Sequence, residues 1–322
     1  MNSVSAISEN LLSVILLSYN SAFRIKNVFE DITHILELNK IPFELVIIDD
    51  GSEDNSYQIA ITLEKEKKNV RAFQLSKNYT SFYAMFAGLS VCKGECAIAI
   101  PDDEQLPYQV IVDSYNLWKN GNKIIIPHRI SRKDNPINNL FANSYYSIIS
   151  ALSEVNFPKG GADTFLIDRE IIDIINKKIH TINTSAVAEI LRLGFQPCFF
   201  PYERKTGSNN KTRWTLRKKI RLFKDTFFSS STWPVKFITR IGLFFSLFAF
   251  AIIVFYSYIV LFGNIEFWGK QVPGWTSTVV IISFFSGIIL FSLGIIAEYI
   301  WRIYEEVKNR PGYIIKKKEN ES

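Results

Sequence analysis

Two long uncharged stretches near the C-terminus constrain the fold of this chain more than any other feature. Residues 241–262 and 276–297 contain no Asp, Glu, Lys or Arg, and about 20 apolar residues in a helix suffice to cross a bilayer core. Turn residues separate the stretches, namely Gly263, Asn264, Pro273 and Gly274. The sequence therefore predicts a membrane hairpin of two helices. The alternative is a pair of core helices, which seldom run so far without a charged face.

Basic residues flank the two predicted spans unequally. Those outside the hairpin are Arg213, Arg217, Lys218, Lys219, Arg221, Lys224, Lys236, Arg240, Arg302, Lys308, Arg310, Lys316, Lys317 and Lys318. The loop between the spans has only Lys270, beside Glu266. Because basic flanks stay in the cytoplasm, we expect a multi-pass protein of the bacterial inner membrane with both termini cytoplasmic. Residues 1–9 lack the pattern of an export signal, which agrees with this orientation.

Four segments are predicted along the chain: a cytoplasmic domain over 1–210, a juxtamembrane amphipathic helix over 211–236, the hairpin over 237–302 and a cytoplasmic tail over 303–322. The helix is predicted because apolar residues recur at helical spacing, at Leu216, Ile220, Phe223 and Phe227. With basic residues off that face, it is expected to lie among lipid headgroups. A helix packed on the globular core is the alternative. Residues 316–322 are expected to be a frayed polar end.

Charge and cysteine content exclude some classes of function. The net charge is +6, but the basic excess adjoins the predicted spans, where anionic headgroups account for it. We therefore expect no nucleic-acid partner. Three cysteines, Cys92, Cys96 and Cys198, have no metal-ligating residues at a suitable spacing. Cys92 is placed at a helix end and Cys96 in a strand, which fits a reducing compartment.

The N-terminal part alternates short apolar runs with helical stretches, the pattern of a doubly wound, mostly parallel α/β sheet. The predicted strands are 13–17, 43–48, 70–75, 96–100, 123–127 and 197–202. The predicted helices are 23–38, 56–67, 82–89, 107–120 and 140–152. In such sheets, ligands bind beyond the carboxyl ends of the strands.

Polar side chains follow three of these strands. They are Ser18, Tyr19 and Asn20 after the first, Asp49, Asp50 and Ser52 after the second, and Asp102, Asp103 and Gln105 after the fourth. One such acidic turn could be turn chemistry alone, since Asp-Gly is common there. Three on one sheet edge predict a binding site.

Carboxylates at such an edge suit a ligand that carries a diphosphate. Asp103, with Asp102 as a helper, is placed to hold Mg²⁺ or Mn²⁺, which would neutralise diphosphate charge as a sugar–phosphate bond breaks. Asp49 and Asp50 could hydrogen-bond the base or ribose of a nucleotide.

The order of motifs resembles the family-2 glycosyltransferases that load polyprenyl phosphates, such as undecaprenyl-phosphate glucosyltransferases and dolichyl-phosphate mannose synthases. The motifs are SYN, DDGSEDNS, PDDEQLP, GADTFLIDRE, ERKTGSNNKTRW, and a final segment LGIIAEYIWRIYEEVKNRPGY after the second span. The resemblance covers nearly the whole chain, and the final segment is its most specific part. It implies a GT-A-like catalytic domain over 1–210.

Further residue roles come from the resemblance alone. Asp49, Asp50 and Ser52 match the nucleotide-contacting DDGS, Asp103 and Gln105 match the metal-binding segment, and Asp163 matches the catalytic or acceptor-orienting acid. Arg204 and Gly207 match the loop that closes over the donor, and Arg213 and Trp214 match a basic–aromatic pair.

Three departures from the family pattern concern the metal and the acceptor. Pro101 replaces the first aspartate of the metal motif, residues 21–22 are Ser-Ala where the family has acidic residues, and the segment at 162–165 reads ADTF without the family's arginine. They predict an uncommon sugar or acceptor, or a weakened catalyst.

The leading hypothesis is an inverting transfer of sugar from a UDP-linked or similar donor to undecaprenyl phosphate for envelope polysaccharide such as O-antigen. The acceptor phosphate needs no strong base, so Asp163 would orient it and Arg204 would screen charge. Alternatives are a transferase that extends a lipid-linked saccharide and a non-catalytic scaffold that binds nucleotide sugar. Two spans cannot easily enclose a lipid path, so a homo-oligomer is also predicted.

Overall fold

Strands buried on both faces build the first of two units into which the chain divides. The computed structural model describes residues 10–129, 158, 162, 164–179, 186–203, 237–245, 247–248, 251, 274–308 and 310–317. The first unit contains residues 1–230 and 310–322, and the second contains residues 231–309.

One mixed sheet organises the described part of the first unit. Its strands are β1 (Leu12–Ser18), β2 (Phe43–Asp49), β3 (Val70–Gln74), β4 (Cys96–Pro101), β5 (Ile124–Arg129), β6 (Leu166–Asp168) and β7 (Pro197–Tyr202). They lie in the order β3-β2-β1-β4-β6-β5-β7. β6 runs antiparallel to β4 and β5, whereas the other pairs are parallel. The six predicted strands are present, but β6 was not predicted, because three residues are too short to form a pattern of their own.

Helices cover both faces of this sheet. They are α1 (Ile25–Leu38), α2 (Ser56–Glu66), α3 (Ser81–Val91), α4 (Gln109–Lys119), α5 (Arg169–Lys178) and α6 (Ala186–Arg192). Alternate residues of each strand point to opposite faces: Val14 and Leu16 join one hydrophobic cluster with α1, α2 and α4, while Ile15 and Leu17 join a second with α3, α5 and α6. The doubly wound, mostly parallel architecture agrees with the prediction. The helix predicted at 140–152 lies outside the described residues.

The second unit contains a long apolar helix, α7 (Gly274–Val307), of 34 residues. Its segment Phe284–Tyr304 has a mean hydropathy of 1.8, is not buried, and is the one stretch of the described chain long and apolar enough to cross a membrane. Residues 237–245 are also helical, and the Phe245 ring lies 5.6 Å from Phe284 and 5.4 Å from Phe285, between centroids. Most of the predicted first span, 241–262, lies outside the described residues, so two spans are not confirmed.

Residues 310–317 pack with the sheet of the first unit. Ile315 forms an antiparallel bridge with Leu75 just beyond β3, and the Lys316 amide donates to the Gln74 carbonyl at 2.8 Å. Tyr313 and Ile315 pack against the second hydrophobic cluster. The frayed end predicted from residue 316 is therefore wrong for Lys316, because alternate apolar residues and the open edge of β3 hold this segment.

Candidate active site

The three polar loops lie together at the carboxyl edge of the sheet. β1 is hydrogen-bonded between β2 and β4, and Ser18 pairs with Asp49 while Leu17 pairs with Pro101. Because the three strands are parallel and end at the same level, the loops after them share one edge, as the sequence predicts.

Asp49 is the most buried carboxylate of this edge, with 1% of its surface exposed. Its Oδ2 accepts hydrogen bonds from the Ser52 amide and from the Gln74 side chain, both at 3.0 Å. Its Oδ1 is buried and has no hydrogen-bond donor among the described residues. Buried polar atoms are nearly always paired, so this oxygen is suited to accept an N–H or O–H group from a ligand.

Two further oxygens at this edge are buried without a partner in the described part of the chain. They are Ser18 Oγ at the end of β1 and Gln105 Oε1 in the loop after β4. Together with Asp49 Oδ1 at the end of β2, they place one such oxygen at or just beyond the end of each of the three strands. This concentration indicates a polar binding site.

Asp50 has a different environment from Asp49. Its two oxygens accept the backbone amides of Tyr79, at 2.7 Å, and Thr80, at 2.9 Å. Hydrogen bonds to a charged acceptor are worth about 1.5–3 kcal/mol each, so Asp50 holds the loop that precedes α3. Gly51 is required beside it, because its φ is +68° and a Cβ there would lie 2.5 Å from the Lys77 carbonyl carbon.

Asn20 and Ser52 join the loops after β1 and β2. The Asn20 amide donates to Ser52 Oγ at 2.9 Å, and Asn20 Oδ1 accepts the Glu53 amide at 3.0 Å. The Ser21 amide adds a bond to Ser56 Oγ at 2.8 Å. Tyr19, in the loop after β1, is half-buried. Asn20 and Ser52 thus set the shape of the site.

Asp102 forms a buried ion pair with Arg24. The Arg24 Nη2 lies 3.4 Å from Asp102 Oδ1, and each side chain is only 8% exposed. Arg24 Nη2 also donates to Ser21 Oγ at 3.0 Å. Sequence reasoning missed Arg24, since a lone arginine before a helix matches no motif. The pair ties the loop after β1 to the loop after β4.

Asp103 is half-buried and its Oδ1 accepts the Gln105 amide at 3.2 Å. In the part of the chain that the structure describes, no group of three or more His, Cys, Asp and Glu residues could hold a metal ion. Mg²⁺ is commonly held by one or two carboxylates together with substrate phosphates. The Asp103 carboxylate fits that mode of binding.

Five predicted site residues lie outside the described residues, namely Asp163, Arg204, Gly207, Arg213 and Trp214. Thr164, which follows Asp163 in the chain, is buried and its hydroxyl donates to the Ala99 carbonyl of β4. The predicted amphipathic helix at 211–236 lies outside as well.

Cys92 and Cys96 lie in the interior at the amino end of β4 and are free thiols. Burial raises the pKa of both thiols, which keeps them protonated and unreactive. Their placement at a helix end and in a strand agrees with the prediction.

Thr80 has a backbone conformation that favours glycine, with φ at +86°. We expect Thr80→Gly to raise the free energy of unfolding by about 1 kcal/mol, because strain of about 1–3 kcal/mol is released against an entropy cost of about 0.5–1 kcal/mol. Chemical denaturation of the full-length protein measures the change. Thr62→Gly, at an exposed position of α2, should instead lower it by a few tenths of a kcal/mol. A lower free energy of unfolding for Thr80→Gly would contradict the strained backbone conformation assigned to Thr80.

Comparison with known proteins identifies relatives along almost the entire chain. The family model described as Glycosyl transferase family 2 matches residues 13–175. A prophage-derived bactoprenol glucosyl transferase of Shigella flexneri is 30% identical over 310 residues, covering 95% of this chain and 97% of that protein. An uncharacterized glycosyltransferase of Synechocystis is 29% identical over 305 residues, covering 94% of each. An uncharacterized glycosyltransferase of Bacillus subtilis is 29% identical over 306 residues, covering 95% of this chain and 93% of that protein.

Proposed function

This chain belongs to glycosyltransferase family 2, and we propose that it transfers a sugar from a nucleotide-sugar donor to undecaprenyl phosphate or a similar polyprenyl phosphate. The single observation that supports a nucleotide-sugar donor is the buried Asp49 carboxylate. One of its oxygens accepts hydrogen bonds from the protein, and the other has no hydrogen-bond donor among the described residues. A polyprenyl-phosphate acceptor is supported by relatives that are named bactoprenol glucosyl transferases and are similar in length to this chain.

Asp49 favours a base that offers an N–H group. An ionised carboxylate only accepts hydrogen bonds, so it would bind the ring N–H of uracil or guanine and repel the ring nitrogen acceptor of adenine or cytosine. We expect Asp49→Leu to raise the KM for the donor about 10- to 100-fold, the loss of a charge-assisted hydrogen bond. Steady-state kinetics at varied concentrations of the nucleotide sugar measure this KM, and an unchanged value would contradict the proposed role of Asp49.

Asp103 would hold Mg²⁺ or Mn²⁺ together with the donor diphosphate. When bound, the ion would neutralise the negative charge that develops on the leaving nucleoside diphosphate. Asp102, engaged with Arg24, would position the loop that carries Asp103. Gln105, with a buried oxygen, would accept a hydrogen bond from a hydroxyl group of the nucleotide sugar.

The remaining site residues would align the two substrates and screen their charges. A polyprenyl phosphate is already an oxyanion near neutral pH, so Asp163 would orient it rather than remove a proton. Arg204 and Arg213 would reduce repulsion between the acceptor phosphate and the donor diphosphate. Gly207 would belong to the loop that closes over the donor, and Trp214 would be the aromatic member of the pair with Arg213. Direct in-line attack predicts inversion at the anomeric carbon.

We propose that the protein is anchored in the bacterial inner membrane by two helices, with its catalytic domain and both termini in the cytoplasm. The apolar segment Phe284–Tyr304 and the packing of Phe245 on Phe284 support a hairpin. The Glu298–Arg302 ion pair, at 3.3 Å, suits the headgroup end of α7, since Trp301 and Tyr304 are exposed beside it and such aromatic residues are enriched at membrane–water interfaces. A homo-oligomer stays a prediction, and mass measurement in nanodiscs tests it.

The decisive experiment is a donor screen with the purified full-length protein. Undecaprenyl phosphate alone is incubated with a panel of nucleotide sugars and Mg²⁺ or Mn²⁺, and the lipid product is detected by mass and its anomeric configuration assigned by NMR. We expect a single hexosyl addition with inversion. A product formed only with lipid-linked oligosaccharide would establish chain extension instead, and no product with any donor would favour a binding scaffold.

A further inference from the structure

We propose that Lys316 and Gln74 are positioning residues for Asp49, so that the segment after α7 completes the nucleotide site. The inference rests on the proposed function, in which Asp49 binds the donor. Gln74 is the last residue of β3; its side chain donates to Asp49 Oδ2 at 3.0 Å and accepts from Lys316 Nζ at 2.9 Å. Lys316 lies 242 positions after Gln74 in the chain, and only the Gln74 side chain separates it from the Asp49 carboxylate proposed to bind the base.

The chemistry of the three groups permits one orientation of the Gln74 amide. The Lys316 ammonium can only donate hydrogen bonds, and the Asp49 carboxylate can only accept them. The amide therefore satisfies both neighbours when its oxygen faces Lys316 and its nitrogen faces Asp49. Without Lys316, water could pair with either end of the amide, and the reversed orientation would set the Gln74 oxygen against the Asp49 carboxylate.

Backbone contacts hold Lys316 in place. Its amide donates to the Gln74 carbonyl at 2.8 Å, and the Ile314 carbonyl accepts the Ser76 amide at 2.9 Å. Tyr313 adds a bond from its hydroxyl to the Phe86 carbonyl at 3.3 Å. Lys316 therefore extends from a segment paired with the sheet edge, so only its own exposed side chain has to be ordered for it to reach Gln74.

The arrangement directs Asp49 toward the ligand. Its Oδ2 is fixed from two sides by Gln74 and the Ser52 amide, so rotation of the carboxylate is restricted while Oδ1 stays available. A positioned acceptor binds more tightly than a mobile one, because less conformational freedom is lost on binding. Loss of the Lys316–Gln74 contact should therefore weaken binding of the nucleotide sugar and leave the rate of the chemical step unchanged.

The test compares Lys316→Met with Lys316→Arg and with Lys317→Met, which removes the same charge from the neighbouring exposed position. In the full-length protein we expect Lys316→Met to raise the KM for the donor and the Kd for the free nucleoside diphosphate about 3- to 10-fold, the range of one hydrogen bond, with kcat unchanged. Lys316→Arg should restore most of the affinity, and Lys317→Met should resemble the wild type.

Gln74→Leu provides a second line of evidence. If Lys316 acts through Gln74, Lys316→Met should cause no further loss of affinity in the Gln74→Leu background, since the two effects are coupled. Equal nucleotide affinity in wild type and Lys316→Met, or additive losses in the double variant, would overturn the inference. A lower thermal unfolding temperature with unchanged affinity would also overturn it. A wild-type protein that binds no nucleoside diphosphate would instead refute the proposed function.

Discussion

Asp103→Ala is expected to lower the rate of sugar transfer about 100- to 1,000-fold, the cost of removing one group that stabilises developing charge in a transition state. The side chain is half-buried, and its hydrogen bond to the Gln105 amide is a local one within the same turn. A bond of that kind contributes about 1 kcal/mol to stability. The variant should therefore fold and bind lipid while losing turnover.

The measurement is initial transfer rate at saturating donor, with thermal unfolding recorded in parallel. Asp113→Ala is the matched control, because Asp113 is an exposed carboxylate on α4 whose partner is Gln109 of the same helix. It should retain the wild-type rate. Transfer that survives Asp103→Ala would exclude Asp103 from the chemistry.

A metal titration separates a metal-binding role for Asp103 from a direct one. Chelation should abolish transfer by the wild type, and added Mg²⁺ or Mn²⁺ should restore it. If Asp103 helps to hold the ion, the residual activity of Asp103→Asn should require a higher metal concentration than the wild type. Equal metal dependence in the two proteins would point to a direct contact with the donor.

Asp102→Ala is expected to reduce the free energy of unfolding by about 3–5 kcal/mol, because it leaves the charge of Arg24 buried without its carboxylate partner. Both side chains of the pair are 8% exposed, so solvent cannot replace the lost interaction. Chemical denaturation of the purified protein measures the effect.

The double variant Arg24→Met with Asp102→Ala tests the cause of that loss. Removing both partners takes away the unpaired charge, so the double variant should be more stable than Asp102→Ala alone. A loss below about 1 kcal/mol for Asp102→Ala would place the pair in the class of weak, solvated ion pairs.

These two adjacent carboxylates illustrate how far the sequence predicts the site. Both follow β4, and the apolar run before them predicts the strand and the edge correctly. The division of roles between Asp102 and Asp103 depends on Arg24, which is 78 positions away. Sequence spacing records no such contact, because it forms only when α1 packs against the sheet.

Elements with a local signature can be predicted from the order of residues alone. Apolar runs bounded by polar turns predicted six of the seven described strands, the polar loops after β1, β2 and β4 predicted the edge of the site, and an uncharged stretch predicted the apolar part of α7. Each of these patterns is read within one element, where periodicity and turn chemistry act between near neighbours.

Which polar groups meet depends on the tertiary structure. It inserted β6 between β4 and β5, assigned Asp50 to the amides of Tyr79 and Thr80, and brought Lys316 to Gln74 at the open edge of β3. These contacts join residues far apart in the chain, so they form only once strands and helices have packed. The buried Asp50 carboxylate must then find donors, whereas the exposed Lys316 side chain reaches Gln74 because residues 310–317 pair with the sheet.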